Sequence, residues 1–410
     1  MKLLFIRIRY FYSKIIRAYS SDNLIFKTKN FLSRLITTPF VVLKGYLRLS
    51  KSDRNLNLKD GFFDHRKKKA VLVASNTQLK RIVDAYKASK KAQSFASPPY
   101  QIKGLWKEWI SINYKELIIA LENENLSDLS VLLGNLSREQ FTIGTGGYDN
   151  YIRYHSLLGA SYLKYVWCKY RDLLLGMDYK LSKITNPIIG NPTGVLLDEE
   201  IISIDNLRHT YHAVEMCEIL RDLKSPRIVE IGGGLGGQAY QTMQMADSSI
   251  HNYTLFDIPE VNVISSYFLL LAFPNKRIRL FGEGPICSEL SNDFEIGIFP
   301  HFTITQLENC SVDLFYNSCS FSEMDGTASN EYLSIIERAC KKYFLHVNHD
   351  VTFKSKNPDG SFSENIIGSK LVPNEKHFKR VFKKKRQHGV PEDRLYDAYE
   401  YLYEKLNKFN

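Results

Sequence analysis

Hydrophobic and polar positions follow different periods in the two halves of this chain. From about residue 102 to 180, and again over 205–223, apolar residues recur at the three-to-four spacing of amphipathic helices. From residue 227 onward, short apolar runs alternate with helical stretches. The predicted strands are 227–231, 253–257, 277–281, 312–317 and 343–348, with helices at about 237–247, 259–273 and 329–341. This alternation predicts a doubly wound, mostly parallel α/β sheet preceded by a largely helical region.

Turn-forming residues suggest how the chain divides. The segment SFASPPYQ (94–101) is predicted to be a linker, and TIGTGGYDN (142–150) and TNPIIGNPTGVLLDEE (185–200) are predicted to be loops. We therefore expect a basic N-terminal region at 1–100, a helical cap or substrate region at 101–224 and a ligand-binding domain at 225–410. A chain of 410 residues is long enough for such a division.

Positive charge is concentrated at the start of the chain. Residues 1–54 contain twelve Lys or Arg and two Asp, which gives +10 of the net +11. Over residues 1–20, helical spacing places one apolar face opposite one basic face, so we expect peripheral contact with an anionic membrane surface. Docking on the protein's own core explains the same pattern. No apolar run reaches the roughly 18 residues that span a bilayer.

The cysteines and the first residues bear on location. Six cysteines are scattered without zinc-ligand spacing, which favours reduced thiols and predicts no bound metal. Arginines interrupt the apolar part of residues 1–20, which makes a poor signal peptide. We expect a cytoplasmic protein, in peripheral contact with the inner membrane face.

A glycine-rich loop follows the first predicted strand. Gly232, Gly234 and Gly237 fit the dinucleotide fingerprint G-x-G-x-x-G. Glu230, Gly232, Gly234 and Gly236 also fit acid-x-G-x-G-x-G, the loop of class I methyltransferases. Glycines there let backbone N–H groups approach a ligand closely. The alternatives are a dinucleotide, S-adenosylmethionine and a simple turn.

Two carboxylates favour S-adenosylmethionine among these alternatives. The charge of Glu230 would repel a pyrophosphate and attract a sulfonium or ammonium group. Asp257, at the end of the next predicted strand, can accept hydrogen bonds from ribose hydroxyls, which suits both ligands. Its context FDIPEV resembles a segment of many O-methyltransferases.

Four stretches carry a wider resemblance: GNPTG (190–194), VEIGGGLGGQA (229–239), YNSCSFSEMD (316–325) and YFLHVNHD (343–350). In this order the chain resembles bacterial sugar O-methyltransferases of capsule and lipopolysaccharide biosynthesis, over roughly residues 130–375. The resemblance implies a class I methyltransferase (Rossmann-like) fold, S-adenosylmethionine as cofactor and a sugar or glycan acceptor. The acceptor form is open: nucleotide-linked, lipid-linked or polymer.

Methyl transfer to a sugar hydroxyl needs an aligned pocket and a general base. Alignment with phenol O-methyltransferases places their catalytic pair near Ser322 and Glu323, so Glu323 is the first candidate base. His349 and Asp350 close the fifth predicted strand and are the other catalytic candidates. Helix capping or a surface ion pair explains Glu323 as well, and a structural role explains His349.

Further polar residues are candidate ligand contacts. Asn317 is the remaining cofactor candidate. The substrate candidates are Arg208, His209, Asn191, Ser320 and His346. Arg208 can clamp a phosphate or the methionine carboxylate, although an ordinary surface helix explains residues 206–215 equally well.

The sequence thus predicts an S-adenosylmethionine-dependent O-methyltransferase of a surface polysaccharide or its activated precursor. One alternative is methylation of a small phenolic compound or of RNA, but residues 227–410 are close to charge balance, so we expect no nucleic-acid partner. Another alternative is a non-catalytic subunit of a glycan biosynthesis complex. The glycines with Glu230 and Asp257 argue against that alternative.

Overall fold

The structure of the chain is a computed structural model. It describes residues 43, 45–59, 72–155, 158–197, 199–246, 249–284, 293–352, 354–356, 362–386 and 398–406. The predicted membrane-surface segment, residues 1–20, lies outside these ranges. Within them, no helix combines the length and apolarity that a membrane crossing requires.

Helices dominate the first half of the chain, and strands enter mainly in the second. The helices are α1 (Lys51–Arg54), α2 (Asn76–Gln93), α3 (Gly104–Asn113), α4 (Lys115–Glu122), α5 (Leu126–Leu133), α6 (Gly147–Tyr154), α7 (Gly159–Gly176), α8 (Ile204–Leu220), α9 (Gly237–Met245), α10 (Pro259–Ala272) and α11 (Gly326–Ala339). The strands are β1 (Leu58–Lys59), β2 (Gly194–Leu197), β3 (Glu200–Ile202), β4 (Arg227–Ile231), β5 (Asn252–Asp257), β6 (Ile278–Leu280), β7 (Ile296–Pro300), β8 (Val312–Ser318), β9 (Cys340–His349), β10 (Lys354–Lys356), β11 (Phe362–Glu364), β12 (Phe378–Lys385) and β13 (Ala398–Lys405).

One large sheet organises the second half. Its strand order is β12-β13-β9-β8-β4-β5-β7-β6. β13 runs antiparallel to both of its neighbours, and every other pair in this sheet is parallel. The strand order reverses beside β4, because β5 lies on one side of β4 and β8 on the other. In such sheets ligands bind outside the carboxyl ends of the strands at this reversal.

Both faces of the sheet are buried, each against its own hydrophobic cluster. Alternation along β4 sends Ile228 to a cluster that includes residues of α2, α9 and α10. Val229 and Ile231 point to the opposite cluster, which is completed by α11 and the C-terminal strands. Burial on both faces explains why these strands read as nearly continuous apolar runs. The predicted doubly wound α/β class is confirmed.

The helices before residue 101 and after it both pack against this domain. α2 begins at a capping box between Ser75 and Gln78, and it packs against α10 and β6. α8 begins at a second capping box, between Ser203 and Asn206, and lies along α9. The predicted boundaries at 100/101 and 224/225 stay predictions. The helix α2 precedes both boundaries in the sequence and packs on the sheet domain that follows them.

Several elements differ from the sequence prediction. The linker 94–101 contains a 3₁₀ turn whose Tyr100 is only 2% exposed and meets the ring of Tyr332 edge-on. The loop 142–150 runs into α6, and the loop 185–200 contains β2. The strands β7, β12 and β13 were not predicted from the hydrophobic pattern of the sequence. The basic run FKRVFKKK (378–385) is the edge strand β12, and most of its Lys and Arg side chains are exposed.

The packing of α2 predicts a stability effect. Leu79 of α2 is 1% exposed, whereas Leu175 of α7 is 53% exposed. We expect Leu79→Ala to lower the free energy of unfolding by about 2–5 kcal/mol, because it leaves a cavity in the shared core. Leu175→Ala should change it by about 0.5 kcal/mol or less. Urea unfolding followed by circular dichroism measures both; equal small effects would show that α2 is not part of the cooperative core.

Candidate active site

The glycines of the loop between β4 and α9 have two different roles. Gly232, Gly234 and Gly236 have φ angles of +80°, +54° and +87°, a region that favours glycine. A Cβ on Gly232 would lie 2.3 Å from Ser320 Oγ, and one on Gly236 would lie 3.0 Å from Leu269. A Cβ on Gly234 would meet nothing closer than 3.7 Å. Gly232 and Gly236 therefore allow close packing, and Gly234 borders open space.

That open space is a cleft at the carboxyl ends of β4, β5 and β8. It measures about 1060 Å³, including the part open to solvent, and small-molecule sites span roughly 300–1,000 Å³. Segment 99–104 and the side chain of Trp106 form another part of its lining, together with Gly144 and Thr145. The cleft therefore lies where the strand order reverses, as the doubly wound topology predicts.

Asp257 joins the end of β5 to the glycine loop. Its Oδ2 accepts a hydrogen bond of 2.8 Å from the N–H of Gly234, and its Oδ1 accepts one of 2.7 Å from the N–H of Ile258. Burial raises the pKa of Asp257 to about 6, although both hydrogen bonds oppose the shift. Asp257 lines the cleft. A carboxylate has about four acceptor positions, so two remain for a ligand.

Glu230 lies in the sheet core and is not part of the cleft lining. It is 3% exposed and accepts a 2.9 Å hydrogen bond from the hydroxyl of Tyr253. Burial raises the pKa of Glu230 to about 8, with a smaller contribution from Asp257. This position gives no support to the predicted contact of Glu230 with the positive charge of a ligand.

A network of buried amides connects the ends of β4, β8 and β9. The Asn317 side chain donates to Ile231 O at 2.8 Å, and the Asn348 side chain donates to Asn317 Oδ1 at 2.8 Å. Asn348 Oδ1 in turn accepts from the Ser322 N–H at 3.1 Å. Asn317, a predicted cofactor contact, is fully buried. Its side chain instead fixes the segment that follows β8.

The segment after β8 carries Ser320 and Glu323 into the cleft. Ser320 Oγ donates to Ile231 O at 3.1 Å and also bonds the Asn317 amide. Glu323 Oε2 accepts a 3.1 Å hydrogen bond from Trp106 Nε1. Burial raises the pKa of Glu323 to about 7, and the Trp106 bond opposes the shift. The first candidate base thus faces the cleft and titrates near neutrality, where a general base works best.

His346 does not reach the cleft. It is fully buried, its Nε2 lies 3.2 Å from Leu371 O, and its ring stacks on Tyr401 with centroids 4.7 Å apart. Burial lowers the pKa of His346 to about 3, so it stays neutral. The geometry therefore gives no support to the predicted substrate contact: strand alternation turns this ring into the aromatic core.

The other two residues at the end of β9 are also held away from the cleft lining. The Nδ1 of His349 accepts a 3.3 Å bond from the Val351 N–H, and Asp350 Oδ1 accepts a 2.6 Å bond from the Ser369 N–H. Burial lowers the pKa of His349. Asp350 stabilises the turn at Gly368–Lys370. Neither position supports the predicted catalytic contact as directly as that of Glu323.

Arg208 and His209 lie on α8 beside the glycine loop. Arg208 forms a 3.2 Å ion pair with Asp205, and its Nη2 lies 3.1 Å from His209 Nε2. The His209 ring packs so closely on α9 that a Cβ on Gly237 would lie 2.5 Å from it. Burial holds the pKa of His209 well below its usual range. Neither residue lines the cleft, and His209 fixes the distance between the two helices.

Asn191 belongs to a loop that packs on the helical region. It is 7% exposed, adopts a left-handed φ of +58°, and donates through its amide to Asn135 Oδ1 at 2.7 Å. Its carbonyl accepts from Arg138 Nε at 3.1 Å. These contacts shape the loop, and Asn191 is not among the cleft residues.

Several cleft residues were absent from the sequence prediction. Trp106, Tyr100, His301 and Tyr332 all line the cleft. His301 Nε2 lies 2.8 Å from Tyr100 O, and burial lowers the pKa of His301 to about 4. Each lies in an element whose pattern indicates only packing. Because Trp106 and Glu323 are 217 positions apart, no local motif could connect them.

Among the described residues, one group of side chains has the composition of a metal site. His212, Glu215 and Glu400 are all buried, with potential ligand atoms within 4.8 Å of one another. Lys384 pairs with both carboxylates, at 3.1 Å from Glu400. The ammonium group thus supplies the positive charge at this cluster. The expectation that the protein binds no metal stays a prediction.

Sheet order and loop together define the structural class. If β6 at the edge is left out and the remaining strands are numbered along the chain from β4, the sheet has seven strands in the order 3-2-1-4-5-7-6. In this numbering β7 is the third strand and β13 is the seventh, which is antiparallel. The glycine loop follows the first of them and touches the carboxylate that ends the second. This is the class I methyltransferase fold, and that prediction is confirmed.

Comparison with known proteins yields only distant structural similarity. No protein-family model matches the chain, and no curated protein matches it. The PH0226 protein of Pyrococcus horikoshii OT3 is 11% identical, with a TM-score of 0.33, over 49% of this chain and 92% of that one. The 1,6-didemethyltoxoflavin-N1-methyltransferase of Burkholderia thailandensis, with bound S-adenosylhomocysteine, is 13% identical, with a TM-score of 0.33. The match covers 48% of this chain and 79% of that one.

The glycopeptide N-methyltransferase MtfA, complexed with S-adenosylmethionine, is 11% identical, with a TM-score of 0.31, over 48% of this chain and 93% of that one. Similarity at this level does not extend to activity or substrate. The fold assignment rests on the chain's own sheet order and loop.

Glu230 predicts a pH dependence of stability. Its pKa is 4.5 in a flexible chain and about 8 in the fold, so between these values the unfolded chain releases a proton that the folded protein keeps. The free energy of unfolding should therefore fall as pH rises from about 4.5 to 8, by up to about 1.4 kcal/mol per pH unit. Glu230→Gln keeps an acceptor for Tyr253 but cannot ionise.

Urea unfolding of both proteins at pH 5 and pH 8 separates this residue from the other titrating groups. We expect the variant to lose less stability between the two values than the wild type, by at least about 1.4 kcal/mol. An identical loss in both proteins would mean that Glu230 ionises normally in the fold.

Proposed function

We propose that this protein is an S-adenosylmethionine-dependent O-methyltransferase whose acceptor is a sugar hydroxyl of a surface polysaccharide, capsule or lipopolysaccharide, or of its activated precursor. The observation that carries the proposal is the cleft itself. It brings together the glycine loop, Asp257 and the half-buried Glu323, whose pKa lies near 7. The sugar acceptor is supported by the sequence resemblance of residues 190–194, 229–239, 316–325 and 343–350.

The residues present fit the cofactor. Asp257 keeps acceptor positions for two ribose hydroxyls beside the N–H of Gly234. Phe256 and Ile258 provide apolar surface on either side of it. The carboxylate of Asp257, beside the glycine loop, suits a cationic sulfonium better than a pyrophosphate, which favours S-adenosylmethionine over a dinucleotide.

The reaction would be a direct displacement, and the cofactor supplies a methyl group on a positively charged sulfur. With the cofactor bound, an acceptor oxygen would form the new bond to its methyl carbon as the carbon–sulfur bond breaks, and S-adenosylhomocysteine would leave. Glu323 takes the proton of the hydroxyl group. Trp106 donates to Glu323 Oε2 and so holds the carboxylate in one orientation. The Asn317–Asn348 amide network fixes the backbone on which Glu323 stands.

Cofactor binding is the first test. Titration calorimetry with S-adenosylhomocysteine should show binding in the micromolar range to the wild type, and NAD should give no heat. Asp257→Asn should weaken binding about tenfold or more, because the ribose hydroxyls lose a charged acceptor. Asp222→Asn, an exposed change outside the cleft, is the control. Heat with NAD alone would replace the proposal with the dinucleotide alternative.

The base assignment predicts a pH profile. With an acceptor found by screening sugar nucleotides and methyl glycosides, kcat should rise with pH through an apparent pKa near 7, because only the ionised Glu323 can take a proton. Glu323→Gln should lower kcat by about 10²–10⁴-fold without weakening S-adenosylhomocysteine. Trp106→Phe removes a bond that favours the ionised form, so the midpoint should move to higher pH. An unchanged kcat in Glu323→Gln would assign the base elsewhere.

A further inference from the structure

Arg386 follows the edge strand β12 and ends close to the cleft wall. Its Nη1 donates to the sulfur of Cys319 at 3.1 Å, and Cys319 lines the cleft together with Ser318. The Nε of Arg386 is buried and has no hydrogen-bond partner in the part of the chain that the structure describes. A guanidinium with five N–H donors is thus directed at a sulfur, which is a weak acceptor.

The charge of Arg386 also has no counter-ion in the part of the chain that the structure describes. Among the described residues, no carboxylate lies within 4.0 Å of its guanidinium nitrogens. The carboxylates of the neighbouring strands have other partners: Glu400 on β13 pairs with Lys384, and Asp350 after β9 accepts from the Ser369 N–H. Arginine stays charged at every physiological pH, and an unpaired half-buried guanidinium is costly unless a ligand completes its hydrogen bonds.

The position of Arg386 distinguishes it from Arg208, the other arginine near this end of the sheet. The positive charges of both arginines act on the buried Tyr170, but that of Arg386 also acts on Glu323 and His349, whereas that of Arg208 acts on Glu230, beneath the glycine loop. Arg208 already has a partner in Asp205. Of the two arginines, Arg386 is therefore the one whose charge reaches the candidate base.

We propose that Arg386 binds an anionic group, a phosphate or a carboxylate, carried by the acceptor molecule. The guanidinium fork matches both groups in a bidentate geometry. An acceptor held at Arg386 enters the cleft past Ser318 and Cys319 and presents its hydroxyl towards Glu323. This inference rests on the proposed function and narrows its acceptor to acidic sugars: sugar phosphates, nucleotide sugars or uronic acids.

The test uses the full-length protein saturated with S-adenosylhomocysteine. Three probes are titrated by calorimetry: UDP-glucose, which carries phosphates; methyl glucuronide, which carries a carboxylate; and methyl glucoside, which is neutral. The variants are Arg386→Gln, Arg386→Lys and Lys379→Gln, the last removing an equal charge from the exposed part of the same strand. S-Adenosylhomocysteine binding is measured for every variant.

We expect at least one anionic probe to bind the wild type more tightly than methyl glucoside. Arg386→Gln should weaken that probe about tenfold or more, Arg386→Lys should weaken it less, and Lys379→Gln should leave it unchanged. The probe that responds identifies phosphate or carboxylate as the recognised group. S-Adenosylhomocysteine should bind all variants equally.

Three outcomes would overturn the inference. In the first, neither anionic probe binds the wild type more tightly than the neutral one. In the second, Arg386→Gln binds the anionic probe as the wild type does. In the third, Arg386→Gln weakens S-adenosylhomocysteine, which would make Arg386 the partner of the cofactor's carboxylate. Absence of S-adenosylhomocysteine binding to the wild type would instead refute the proposed cofactor, so the two failures are distinguishable.

Discussion

The buried side-chain amides of Asn317 and Asn348 hold the ends of three parallel strands in register with the segment that carries the candidate base. Asn317 bonds the carbonyl that ends β4, and Asn348 bonds both Asn317 and the backbone of Ser322. Both asparagines are fully buried, so a broken bond would leave a polar group without water. The cleft depends on this constraint, because Glu323 follows Ser322 directly and the backbone after it turns into α11.

The same constraint explains why the polar residues at the ends of β8 and β9 have different tasks. Asn317, His346 and Asn348 satisfy one another or nearby carbonyls in the interior. Ser320 and Glu323, which lie beyond the strand end, reach the cleft. Asn317, His346 and Asn348 therefore serve the interior, whereas Ser320 and Glu323, beyond the end of β8, are available to a ligand.

Local patterns predicted the central strands well and the outer ones poorly. β4, β5 and β8 are apolar runs between turn residues, and their bounds agree with prediction within a residue or two. β12 and β13 form an antiparallel pair at one side of the sheet, where Lys and Glu alternate with aromatic residues and the apolar signal is weak. β7 follows a long stretch without a helical pattern, so the alternation of strands and helices along the sequence did not predict it.

The candidate site divides in the same way. The glycine loop, Asp257 and Glu323 were predicted because each is close in sequence to a strand end. Trp106 and Arg386 were not predicted, because the contacts that bring them to the site are distant in sequence. Trp106 bonds Glu323 across 217 positions, and Arg386 bonds Cys319 across 67 positions. Arg208 and His209 were predicted from their place on the helix before the first strand, and Asn191 from the GNPTG stretch. In the structure their contacts are with neighbouring helices and loops.

The antiparallel position of β13 has a consequence for how the chain is made. β13 lies between β9 and β12, yet it follows both in the sequence. During synthesis, β12 therefore emerges before the neighbour that pairs with it, and β9 emerges with one edge uncovered. Such unpaired edges invite pairing with other chains. The exposed lysines of β12 place like charges along this strand, and like charges disfavour its pairing with another copy of the chain.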